Sequence, residues 1–292
     1  MRVGLVILPT DRWATARGLW KWAEDAGFAT AWTYDHIVWG GFPSGPWHAA
    51  YPVLAAAASV TDRIRLGTLV TSPNFRHPVS LARQVITLDD VSSGRFELGI
   101  GAGSGGPDAA VLGTPVWSPA ERSARFAEFL ELLDRLLTQP LTTSNGRFYS
   151  AVAASMTPAC VQQPRVPFTI AAAGPRSLRL VARLGQRWVT IGPAGSGPRQ
   201  PDDVYRAVAL QAEQLIDACE EVGRNPSSVG RVLLLTTTTG PDVPSLGAFD
   251  EMVGRYGDLG FDEIVLHHPR QTGPYAGDMA VLEAIAERYG SG

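Results

Sequence analysis

The stretch IRLGTLVTSPNFRHPVSLARQVITLDDVSSGRFELGI, residues 64–100, carries one strand–helix–strand unit. Ile64 to Val70 is a short apolar run of the kind buried on both faces of a sheet. Ser80 to Val91 has its apolar residues at helical spacing, and Phe96 to Ile100 is apolar again. A strand, a helix and a second strand in that order form a crossover between parallel neighbours.

The same alternation extends in both directions. Upstream, Val3 to Leu8 and Ala29 to Tyr34 read as strands. A helix through Leu19, Trp20, Ala23 and Ala26 lies between them, and a second over Pro52 to Val60 follows. Downstream, Ser118-Pro119-Ala120-Glu121 is a capping-box start for a helix whose apolar face is Phe126, Leu130, Leu133 and Leu137. Residues 138–166 are irregular, with room for a short hairpin, and are read as scaffold or a subunit contact. Strands then recur at Phe168–Ala172, Trp188–Ile191, Val229–Leu235 and Ile264–Leu266. Helices follow them over Ser177–Leu184, Val204–Val222, Leu246–Leu259 and Met279–Tyr289. Eight strand-then-helix units without a linker predict a single α/β domain over residues 1–292, a (β/α)8 TIM barrel with loop insertions. An open doubly wound sheet competes, but its Gly-rich first turn is replaced here by Pro9-Thr10-Asp11.

Composition narrows the function classes. Hydrophobic residues are 45% and charged residues 18% of 292, below the usual charged share of about 25%, so there is ample material for a core. The net charge of -3 supplies no field for nucleic acid. Lys21 is the only lysine among 25 basic residues, and the arginines are scattered. Cys160 and Cys219 match neither a metal spacing nor a disulfide framework. No apolar stretch approaches the roughly 18 residues of a membrane span, and the first residues lack a signal pattern, so a cytoplasmic protein is expected.

In such a barrel the residues just past the strand C-termini line the site. Asp35-His36 after the second strand is the most suggestive pair, because a histidine there can move a proton near neutral pH. The competing reading has Asp35 capping the loop and His36 packing below it. Trp39 is a candidate wall for a flat aromatic ligand. Gly101-Ala102-Gly103-Ser104-Gly105-Gly106 fits a G-x-G-x-x-G spacing, yet it follows the fourth strand and no helix opens directly after it. Its glycines allow close backbone approach to a ring or a phosphate. Ala172-Ala173-Gly174-Pro175-Arg176-Ser177 is the better anion site, a strand end turning into a helix N-terminus. Ile191 and Gly192 end the next strand, and the Gly192–Pro201 loop is a candidate lid. At most one of His267 and His268 is expected to reach the site. Only one carboxylate appears among these strand ends, which disfavours paired-carboxylate hydrolysis, and no metal site is expected.

The block from Arg65-Leu66-Gly67-Thr68-Leu69-Val70 through Arg76-His77-Pro78, Leu81-Ala82-Arg83, Thr87-Leu88-Asp89 and Ser93-Gly94-Arg95 to Leu98-Gly99-Ile100-Gly101-Ala102-Gly103 resembles the bacterial luciferase-like monooxygenase superfamily. Asp35-His36 and the Ala173-Gly174-Pro175 turn match it as well. The resemblance implies an enzyme, an oxidoreductase holding coenzyme F420 or, alternatively, FMN at the barrel mouth. It implies a bulged third strand with a non-proline cis peptide at Leu69–Val70 behind the ring, Ser72 and Asn74 near the ring, and the phosphate on residues 173–177. Asp35-His36 with Trp39 is similar to the deazaflavin-dependent members, in which the histidine assists hydride transfer. Ser104 stands where the sugar-phosphate dehydrogenases of that group place a glutamate, and the Trp-rich 37–47 loop suits an apolar or aromatic substrate. The other implied partners are a separate flavin or F420 reductase and a second copy in a homodimer. The alternatives are an FMNH2-dependent two-component monooxygenase and a flavin-binding barrel without turnover.

Overall fold

A computed structural model describes residues 1–193, 200–236 and 243–290. The expected alternation is present. Strand β1 is Arg2–Val6, followed by α1 (Trp13–Asp25), β2 (Thr30–Thr33), α2 (Ala50–Ala58), β3 (Arg65–Thr71), α3 (Pro78–Val91), β4 (Phe96–Ile100) and α4 (Pro119–Thr138). The irregular stretch contains an antiparallel hairpin, β5 (Leu141–Asn145) with β6 (Ser150–Ser155). The second half runs β7 (Phe168–Ala171), α5 (Pro175–Leu184), β8 (Arg187–Thr190), α6 (Pro201–Glu221), β9 (Gly230–Leu234), α7 (Leu246–Asp258), β10 (Glu263–His267) and α8 (Met279–Tyr289). The strands close a barrel in the order β1-β10-β9-β8-β7-β4-β3-β2, with the hairpin outside it. No helix among the described residues is long and apolar enough to cross a membrane.

The chain divides into two compact units, one of Met1–Leu8, Gly18–Trp32 and Ile170–Gly292 and one of Pro9–Arg17 and Thr33–Thr169. In the first unit, β1 and β10 run in register from Arg2↔Glu263 to Val6↔His267. Glu263 is fully buried there and accepts hydrogen bonds from Arg187 at 2.7 Å and from the Trp32 indole at 3.3 Å. The carboxylate is thus paired, as a charge removed from water requires.

In the second unit, β3 and β4 pair in parallel, and the register shifts between Thr68 and Thr71. Gly99 sits against this irregularity: a Cβ at that position would overlap the Thr68 carbonyl oxygen. Helix α4 begins with the expected capping box. Ser118 Oγ accepts from the Glu121 N–H, and the Glu121 carboxylate accepts from the Ser118 N–H. Further along α4, Glu128 accepts from the backbone N–H groups of Arg147, Phe148 and Tyr149 at 2.7–3.1 Å, which ties the hairpin turn to the helix. Sequence periodicity left this hairpin faint because β5 and β6 expose most of their residues.

Candidate active site

The second unit gathers most of the expected residues. The Leu69–Val70 peptide is cis, where the family resemblance placed it, and it lies within the register shift of β3. Asp35 follows β2 and is 2% exposed. Arg76 clasps it with Nε to Oδ2 and Nη2 to Oδ1, both at 2.6 Å, and Thr71 Oγ1 donates to Oδ2 at 2.9 Å. The single hydroxyl proton of Thr71 goes to that carboxylate, so the Tyr51 hydroxyl, 3.0 Å away, donates to Thr71. Burial, then the nearby Asp35 charge, pushes the Tyr51 phenol far above its ordinary range. Three hydrogen bonds from Arg76 and Thr71 thus hold Asp35 at the start of the loop after β2.

The carboxylate that serves His36 is Asp108, on a short 3-10 turn over Pro107–Ala109. Asp108 Oδ2 bonds the Nδ1 of His36, while Oδ1 accepts from the Ile37 and Val38 backbone N–H groups at 2.8 Å each. Burial works to raise the Asp108 carboxyl, but the His36 bond and the two backbone donors outweigh it and hold the group below the usual carboxylate range. An ionised carboxylate can only accept, so Nδ1 carries the hydrogen and Nε2 is left with its lone pair. Asp108 lies beyond the residues that end β4, and no periodicity marks it, 72 residues from its partner.

Aromatic rings surround His36. Tyr34 and Trp47 each lie 5.9 Å from it with inclined rings, and Trp39 packs 5.6 Å from Tyr34 and 5.5 Å from Trp47. Trp39 therefore belongs to the wall around the imidazole. The Trp47 indole N–H is buried and has no hydrogen-bond partner among the described residues. A buried donor without an acceptor among the described residues suits a ligand that brings one.

Beside this wall, Ser72 is buried and its Oγ accepts from the Asn74 N–H at 3.4 Å. Asn74 Nδ2 donates to the Ser104 carbonyl at 3.1 Å, linking the strand ends of β3 and β4. Gly103 has φ +75, and a Cβ there would stand 2.7 Å from Asn74, so this position needs glycine on both counts. Gly101 N–H bonds the Thr71 carbonyl at 2.9 Å and extends the pairing past the bulge.

The remaining candidates belong to the first unit. Gly174 caps α5 with Pro175 in its first turn, and a Cβ on Gly174 would meet nothing within 4 Å. Ser177 Oγ is engaged with the Gly174 carbonyl at 2.9 Å, while Ala173 and Arg176 are exposed. Gln211, which sequence reading did not single out, donates to the Gly192 carbonyl at 3.0 Å and the Ala173 carbonyl at 3.4 Å and so braces both turns. Gly192 has φ +85 and is buried, whereas Ile191 is 40% exposed. Residues 194–199 of the candidate lid, and 237–239 after β9, lie outside the described residues. His267 stacks on Tyr275 with centroids 3.4 Å apart, and burial pushes its imidazole down to about 3. His268 meets the edge of Trp22 at 5.8 Å. No group of potential metal ligands occurs among the described residues.

Residues 1–243 match the family model described as luciferase-like monooxygenase. The chain belongs to that family. Among relatives of this luciferase-like protein, an F420-dependent glucose-6-phosphate dehydrogenase from Beutenbergia cavernae is 36% identical over 59% of this chain and 51% of the relative. A 4-hydroxyprotoasukamycin monooxygenase from Streptomyces nodosus subsp. asukaensis is 32% identical over 70% of this chain and 53% of its own length. The aligned region is thus about half of each of these two relatives. A solved F420-dependent secondary alcohol dehydrogenase shares the fold, with a TM-score of 0.78 at 16% identity, covering 98% of this chain and 97% of that one.

Proposed function

We propose that this luciferase-like protein is an oxidoreductase that uses coenzyme F420 for hydride transfer to or from a small organic substrate with an apolar or aromatic body. The observation that carries the reading is the His36–Asp108 pair inside an aromatic wall, with the bulged end of β3 in the same unit. When bound, the deazaflavin supplies the carbon that gives or takes the hydride. Leu69 and Val70 would back its ring, Ser72, Asn74 and the backbone of Gly101, Gly103 and Ser104 would flank it, and Trp47 N–H offers an unused donor. The Ala173–Arg176 turn is proposed as an anion-binding element, with Ile191 and Gly192 at the neighbouring strand end. His36 holds or releases the substrate proton at Nε2, Asp108 fixes the tautomer, and the Tyr34–Trp39–Trp47 rings flank the part-exposed imidazole.

The names of several relatives support F420, and the monooxygenase relative favours a second reading: an FMN enzyme that consumes oxygen and is fed by a separate reductase. Titration of the protein with F420 and with FMN, followed by tryptophan fluorescence, separates the two. Binding of neither would end both readings. His36→Ala is expected to spare F420 binding and cut turnover at least tenfold; unchanged turnover would remove His36 from the mechanism. Exposed Leu141 and Val152 on the hairpin support a second copy of the chain as a partner.

A further inference from the structure

Arg125 of α4 is 7% exposed, and its Nε is buried without a hydrogen-bond partner among the described residues. Among the described residues its one hydrogen bond is from Nη2 to Asn74 Oδ1 at 3.2 Å, and the guanidinium lies 5.2 Å from the Trp117 ring. Helical spacing offers it two carboxylates, Glu121 four residues before and Glu128 three after. Both are committed elsewhere: Glu121 closes the capping box and Glu128 holds the hairpin turn. Arg122, one turn back, adds a second positive charge and, among the described residues, bonds only the Trp117 carbonyl, at 3.0 Å. Burial, opposed by Tyr149 and reinforced by Arg122, presses Arg125 below its ordinary range. A guanidinium removed from water with no anion paired to it among the described residues is a costly arrangement unless a ligand completes it.

We propose that Arg125, assisted by Arg122, seats a carboxylate or phosphate oxyanion of the substrate. The site is connected to the proton-transfer pair. Asn74, which holds Arg125, also holds Ser104, and the four residue steps from Ser104 to Asp108 span at most about 14 Å. A molecule of modest size can present an oxyanion to Arg125 and its reacting carbon near His36. A Cβ on Gly105 would come no nearer than 3.7 Å to Arg122, so the loop leaves that guanidinium uncrowded. The inference rests on the proposed oxidoreductase reading only in naming the substrate as the ligand.

The probes are inorganic phosphate and benzoate, titrated into the full chain and followed by tryptophan fluorescence, which Trp117 places at the site. Saturable binding that Arg125→Gln weakens at least tenfold and Arg122→Gln at least threefold is the expected result, and the tighter probe names the anion. Arg125→Lys, which retains the charge, should fall between wild type and Arg125→Gln; Arg122→Gln carries the test if Arg125→Gln does not fold. Absence of binding by wild type, or binding indifferent to both arginines, overturns the site. The ratio of FMN to riboflavin affinity should be the same in wild type and Arg125→Gln; its collapse in the variant would give the arginine to the cofactor phosphate and overturn the substrate assignment. If neither flavin nor F420 binds while phosphate or benzoate still does, the oxidoreductase reading fails and the anion site stands.

Discussion

Asp108→Asn tests the chemistry at a single atom pair. In the wild type, Oδ1 takes both backbone donors and Oδ2 takes the imidazole. An asparagine of the same shape keeps Ile37 and Val38 only if its amide oxygen replaces Oδ1, which turns its NH2 toward His36 Nδ1. That nitrogen must then accept, the ring proton moves to Nε2, and the reactive nitrogen loses its lone pair. The opposite amide orientation faces two backbone donors with a third. Either way a charge-assisted bond of about 1.5–3 kcal/mol is lost. If that loss appears in the barrier, the hydride step slows by roughly ten- to 150-fold. Single-turnover reduction or oxidation of bound F420, followed by its absorbance across the pH range, reads the step, and equilibrium titration should give unchanged cofactor affinity. A variant within threefold of wild type at every pH would refute the tautomer argument. Because the Asp108 carboxyl is held below the usual range, its contribution is complete above the unfolded value and is lost only as pH falls through the lower folded one, below about pH 4.

Removing the guanidinium in Arg76→Ala strands the buried Asp35 with one hydroxyl donor. It should cost about 3–5 kcal/mol, seen as a thermal midpoint lower by roughly 10 °C. Adding Asp35→Asn should restore part of the loss, and a change under 1 kcal/mol would show that the clasp is unimportant. His267 is buried in its neutral form with an imidazole value near 3, against 6.5 when exposed. Below pH 6.5 the unfolded chain binds a proton that the folded one does not, so stability should fall with pH by up to about 1.4 kcal/mol per unit. Urea titrations at pH 7 and 5 measure it; His267→Gln should flatten the dependence, and an equal slope in the variant would reject the assignment.

The strand–helix alternation was legible because each barrel strand is a short run buried on both faces and each helix announces an apolar stripe, as Ser118–Glu121 and the face behind it illustrate. The positions of His36 and Trp39 on the loop after β2 were legible from the end of that strand. Asp35 was visible as a position but not as a role, since its meaning depends on Arg76, 41 residues away. Asp108, Arg125 and Gln211 were missed for the same reason. A polar side chain in a loop or on a helix gives no periodic signal, and only the fold reveals which partners it finds or lacks.

The imidazole and the acid that steers it sit on different connections, one after β2 and one in the stretch between β4 and α4. Most of residues 110–120 beyond Asp108 face solvent. A protease nick or an inserted tag there would act like a blown fuse: the barrel would stay assembled while the imidazole lost its guide. Turnover lost to such a nick should leave the calorimetric transition of the barrel in place.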